Sequence, residues 1–130
     1  MTFPFWCVVA TALLPYFLSS AAGYFRTRQF GTLDNNDPRA QAARLEGTGA
    51  RAYAAHQNAM EALPIFTAAV VIAHLAGADP GLSSIAAGIF VVTRILHPIF
   101  YITNVAPARS AAFLVGLGCC IWLFALAARA

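Results

Sequence analysis

The chain has 130 residues, of which 60% are hydrophobic and 10% charged, and its mean hydropathy is +0.69. That composition excludes an ordinary soluble domain and leaves room for about four spans of about 20 residues and little else. All eight basic residues are arginine, and the net charge of +3 is concentrated in one loop. Membrane topology explains such a distribution better than a nucleic-acid partner does.

Residues 1–25 carry no charge, and Phe3 to Phe25 is long enough to cross a hydrocarbon core of roughly 30 Å as a helix. A cleaved signal peptide is the rival reading, helped by small residues at Ser19 to Ala22. It lacks a positive leading region, and the apolar run is long for one. Pro15 withdraws the hydrogen bond that the Thr11 carbonyl would accept, which predicts a local bend. Residues 26–50 are the only long polar segment, with Arg26, Arg28, Asp34, Asp37, Arg39, Arg44 and Glu46. Asp37-Pro38 offers an N-cap with proline at N1, predicting a short helix over Arg39 to Leu45. A second span runs from about Arg51 to Ala76, and Gly77 to Gly81 reads as a tight turn. The third span covers about Leu82 to Thr103. Asn104 to Arg109 turns the chain again, and Ser110 to Ala128 supplies 19 uncharged residues for the fourth.

The expected fold class is therefore all-α: one integral membrane domain over residues 1–130, a left-handed up-down four-helix bundle with spans at about 3–25, 51–76, 82–103 and 110–128. Arg26, Arg28, Arg39, Arg44 and Arg51 flank or fill the first loop, and Arg109 stands in the third. The second loop has only Asp79, and beyond the fourth span there is only Arg129. The positive-inside rule then puts loops one and three in the cytoplasm and both termini outside it.

Glu61 and Arg94 stand out because each interrupts a stretch that otherwise reads as lipid-spanning. A charge there costs roughly 2.5–3.5 kcal/mol on insertion scales, so it is kept facing protein or water. Arg94, His97 and Tyr101 are spaced i, i+3, i+7 and lie within about 60° of one another on a helix. Arg51, Asn58 and Glu61 share a similar sector of the second span. By the predicted topology these residues, with Arg109 and Ser110, converge on the cytoplasmic end. Pro98 and Pro64 free the carbonyls of Arg94 and Met60, which at depth need donors or water and so point to a wet cavity. The plainer alternative is a buried Glu61–Arg94 ion pair that only sets helix register.

Ala55-His-Gln-Asn-Ala-Met-Glu61 followed by Leu-Pro-Ile-Phe66, then Arg94-Ile-Leu-His-Pro-Ile-Phe-Tyr101 and Pro107-Ala-Arg-Ser110, resemble the MAPEG family across essentially the whole chain. These are the membrane-associated proteins in eicosanoid and glutathione metabolism, here of a bacterial, inner-membrane type. The resemblance implies a homotrimer that binds glutathione as co-substrate between neighbouring subunits and conjugates or reduces lipophilic electrophiles. It implies ligand contacts for Asn58, Glu61, Arg94 and Tyr101, with Arg51 and His97 beside them. Arg26 or Arg28 would be the contact from the end of the first span, and Arg109 and Ser110 would sit near the thiol. His97 is a candidate acid or base, or a packing residue. Two positions depart from the family pattern: Ala54 stands where the well-studied synthases carry arginine, and Gln57 where the prostaglandin-type pattern carries another. The implied partners are further copies of the chain, membrane lipid and a lipophilic small molecule, with no nucleic acid. The alternative is a non-enzymatic membrane protein that binds a small anion, thiol or lipid in the same cavity.

Other residues read as structural. Cys7, Cys119 and Cys120 lie inside spans, where an odd count and an adjacent pair argue against a disulfide framework or a metal site. Gly116 and Gly118 offer a small-residue face for close helix packing. The orientation is testable: a reporter that matures only outside the cytoplasm, fused after Ala130, should be active. Activity of a cytoplasmic reporter at that position would reverse the topology.

Overall fold

The computed structural model describes residues 1–130, which form five helices and no strand. They are α1 (Phe3–Phe30), α2 (Pro38–Ala43), α3 (Gly47–Ala76), α4 (Pro80–Ile102) and α5 (Ala106–Ala127). All but α2 are long and apolar enough to cross a membrane. The chain is an all-helical, multi-pass integral membrane protein. Large apolar side chains such as Phe17, Leu75, Leu114 and Ile121 point outward from the bundle, as a lipid-facing surface requires.

Helix ends follow local chemistry. Gly31 and Gly77 close α1 and α3 in the left-handed conformation that glycine adopts without a Cβ penalty. Asp79 Oδ1 accepts from the Leu82 amide at 2.7 Å and caps α4 ahead of Pro80. The expected cap at Asp37 is not made: its side chain has no capping bond, and α2 spans Pro38–Ala43 rather than reaching Leu45. Asp34 Oδ1 instead accepts from the Asn36 and Asp37 amides, tightening the chain before Pro38.

The first loop is shorter than its polar composition predicts, because α1 continues five residues past Phe25 and α3 begins at Gly47. Two glutamines tie it down. Gln41 Oε1 accepts from Arg26 Nε and from the Asp34 amide, and its Nε2 donates to the Thr32 carbonyl. Gln29 donates to the Arg44 carbonyl and accepts from the Glu46 amide.

Thr2, His74, Pro80 and Leu123 line one cleft, so both termini share an end of the bundle with the α3–α4 turn. The other end carries α2, the α4–α5 turn and the arginines. There Arg51 Nε donates to the Ile102 carbonyl at 3.1 Å, joining the start of α3 to the end of α4. The core lies between α1, α3, α4 and α5. At its centre Phe66 of α3 stacks on Phe90 of α4, with centroids 3.8 Å apart and planes 7° from parallel. Small residues (Ala69, Ala73, Ala86, Ala87, Cys119, Cys120) surround that pair and let the backbones approach.

Candidate functional site

Asn58 and Glu61 are one turn apart on α3 and line a cavity of about 240 Å³ together with Phe90 and Arg94 of α4 and Phe113, Leu117 and Cys120 of α5. Toward the arginine-rich end, Asn58 and Phe113 also border a second cavity of about 390 Å³, lined by His97, Tyr101, Arg109 and Ser110. The two share a wall and read as one cleft between α3, α4 and α5. Seven of the nine sequence-derived candidates thus line these two adjacent cavities: Asn58, Glu61, Arg94, His97, Tyr101, Arg109 and Ser110.

Arg94 is only 4% exposed. Its Nη1 donates to Asn58 Oδ1 at 3.3 Å and its Nη2 to the Ala112 carbonyl at 3.2 Å. Its guanidinium also lies 5.4 Å from the Phe90 ring centroid, a favourable cation–π distance. The ion pair with Glu61 does not form. Arg94 takes the neutral amide instead, and its Nε is buried with no partner. An uncompensated guanidinium donor in a protein interior is costly, and a ligand acceptor would relieve it. Because Asn58 Oδ1 faces Arg94, its amide nitrogen is turned away from the guanidinium and can donate elsewhere.

Glu61 lies midway along α3 and is exposed on the protomer surface. A carboxylate in that position needs protein or water over it. At the mouth of the cleft, Arg109 stacks 4.5 Å from the Tyr101 ring centroid, and His97 packs edge-on to the same ring at 5.6 Å. Tyr101 therefore orients both groups. Arg109 also belongs to the first turn of α5, where unpaired backbone amides add positive potential, and the exposed Ser110 follows it.

Two candidates are not brought to this cleft. Arg51 is used structurally, donating to the Ile102 carbonyl and to Thr48 Oγ1. Arg26 donates to Gln41 and to the Asp34 carbonyl and borders a different cleft of about 180 Å³, shared with Ser19, Arg39, Tyr53 and His56. Arg28 is exposed on the Tyr24 side, so Arg26 is the α1 arginine that faces a cavity. Tyr53 and His56 stack with centroids 6.3 Å apart, and the His56 Nδ1 position is fixed 2.9 Å from the Pro15 carbonyl. Asn58 and Glu61 stand about 160° and 140° around α3 from His56. The chemistry thus shares one end of the bundle but occupies two faces.

Sequence reasoning missed Gln41, Arg39, Tyr53 and His56 on the second face and Cys120 in the main cavity. Only His56 and Tyr53, four and seven residues before Met60 in a polar stretch of α3, carried a signal. The model of the MAPEG family matches residues 3–129, nearly the whole chain, and the chain belongs to that family. No curated protein matches it.

The geometry of Arg94 makes a prediction. A lysine keeps the charge but lacks the planar fork whose two nitrogens meet Asn58 Oδ1 and the Ala112 carbonyl separately. Arg94→Lys should therefore destabilise the folded protein by about 1–3 kcal/mol in detergent thermal unfolding. An unchanged melting temperature would mean that charge alone, and not the forked geometry, holds α3, α4 and α5 together.

Proposed function

We propose that this MAPEG-family membrane protein binds glutathione in the cleft between α3, α4 and α5 and joins it through its sulfur to lipophilic electrophiles. The observation that carries this reading is the buried Arg94, whose Nε has no acceptor and whose side chain lines a cavity that also holds Glu61. An orphaned guanidinium donor suits a carboxylate, and a carboxylate nearby suits an ammonium. A ligand with a free amino-acid end offers both. Arg94 and the Asn58 amide would hold the carboxylate, and Glu61 would hold the ammonium.

A bound tripeptide thiol would supply the nucleophilic sulfur. A free thiol with a pKa near 8.5 is mostly protonated at neutral pH, so a cation that stabilises the thiolate raises the reactive fraction. Arg109 is that cation. Tyr101 holds its guanidinium at the mouth of the cleft, and the start of α5 adds to the positive field. Ser110 is a second donor beside it. His97, packed on the same tyrosine, is placed to accept or return a proton at the mouth. For an aryl chloride, a carbon–sulfur bond forms, the carbon–chlorine bond breaks and chloride leaves, while the thiol proton passes to water or His97.

The proposal includes assembly. Glu61 is uncovered in a single protomer, and the second polar cleft lies on another face of α3. A rotation about a threefold axis joins unlike faces of neighbouring copies. In the proposed homotrimer, the Arg26, Arg39 and His56 face of one copy covers the Glu61 and Arg94 cleft of the next. The arginine-rich end, and with it the site, faces the cytoplasm.

Conjugation of 1-chloro-2,4-dinitrobenzene by the purified protein tests the chemistry. Arg109→Ala should keep the melting temperature and lower the rate on the order of 10-fold or more, since one oriented cation at a developing thiolate contributes over about 1.4 kcal/mol. Equal rates above background in both proteins would remove Arg109 from the mechanism. Glutathione binding without turnover would favour the non-enzymatic reading, for which the missing arginines at Ala54 and Gln57 already speak.

A further inference from the structure

Arg94 can lie where it does only because α5 presents no side chain at one position. A Cβ built on Gly116 would stand 2.9 Å from Thr93 Oγ1, 3.0 Å from Arg94 Nη2 and 3.4 Å from Arg94 Cζ. The Thr93 hydroxyl, tied to the Phe90 carbonyl at 2.7 Å, would have to turn aside, and the Arg94 guanidinium, held to Asn58 and Ala112, would have to yield with it. Gly118, two residues on, has nothing within 4 Å of the same built atom. The two glycines look alike in sequence and differ completely in surroundings.

We propose that Gly116 is a positioning residue for the ligand cavity, acting through Arg94. Its missing side chain seats the guanidinium against the α5 backbone, where Nη2 reaches the Ala112 carbonyl one turn earlier. With Nη2 held there, Nη1 meets Asn58 Oδ1, and that contact turns the Asn58 amide nitrogen away. Gly116 thereby fixes how the remaining donors, the unused guanidinium N–H groups and the Asn58 amide, are presented to a ligand. The consequence is large in this chain because Ala54 and Gln57 supply no guanidinium, leaving Arg94 the one arginine lining the inner cavity. Recognition of a ligand carboxylate then depends on one arginine in one pose.

This inference rests on the glutathione reading for its ligand, but the pose of Arg94 can be measured without one. Gly116→Ala, Gly118→Ala and wild type are compared by phenylglyoxal modification of the Arg94 peptide, read by mass spectrometry, and by glutathione affinity. Gly116→Ala should expose Arg94 to the reagent severalfold faster and weaken glutathione binding about 10-fold, toward the level of Arg94→Ala. Gly118→Ala should match wild type in both. In an Arg94→Ala background, Gly116→Ala should cost no further affinity, as coupled sites require, while its contact with Thr93 still lowers the melting temperature. Protection and affinity unchanged in Gly116→Ala would overturn the proposal. If wild type binds no glutathione, the functional reading fails, while the modification rates still decide the role of Gly116. If Gly116→Ala does not fold, its assembly in the Arg94→Ala background supports the coupling. Failure there too would make Gly116 a packing residue and sink the idea.

Discussion

A guanidinium inside a bundle of membrane-spanning helices has few acceptors to choose from, and how Arg94 finds its own organises this protein. It is buried without a carboxylate partner, and it reaches one side-chain amide on α3 and one backbone carbonyl on α5. Each bond crosses a helix interface, so one side chain from α4 joins the three helices that form the cleft. Hydrogen bonds to a charged donor are worth about 1.5–3 kcal/mol, and neither would form if the helices slid by a turn. The same pose leaves the Nε–H without a partner, so the group that aligns the scaffold also keeps donor capacity beside the cavity.

Glu61 shows the limit of a single copy. Its neighbour Asn58, one turn away, takes the arginine, and the carboxylate is left on the outside of the helix pair. Hydrocarbon is a poor medium for it, which makes a covering surface a physical requirement. His56, about 140° around α3 from Glu61, with Tyr53, Arg26 and Arg39 beside it, forms a surface of suitable charge. Heterologous packing of the two faces is the proposed answer, and it gives Arg26 a role that the isolated protomer does not.

Much of the scaffold was legible in the sequence. Long apolar runs and turn residues located the four spans, because only helices satisfy their own backbone in lipid. The ends of α1 and α3 were not legible: beyond Phe25 and before Arg51 the residues are polar, and hydropathy cannot tell a protruding helix from a loop. Gln29 and Gln41 bound the loop through side-chain amides whose partners lie 15 or more residues away in some cases, which no local pattern encodes. The i, i+3, i+7 spacing did group Arg94, His97 and Tyr101. It offered Glu61 as the ion-pair partner of Arg94, whereas Asn58, on the same face of α3, is the residue that Arg94 meets. That choice follows from where α5 lets the guanidinium rest, and so from Gly116, whose difference from Gly118 exists only in three dimensions.

Subunit complementation tests most directly whether neighbouring copies build the site together. Arg26→Ala and Arg94→Ala chains are each expected to lose glutathione binding alone. Assembled from an equal mixture in trimers, an intact interface forms wherever an Arg94-bearing cleft meets an Arg26-bearing face, restoring about a quarter of wild-type binding capacity. Full binding by Arg26→Ala alone, or no recovery in verified mixed trimers, would contradict a site shared between subunits.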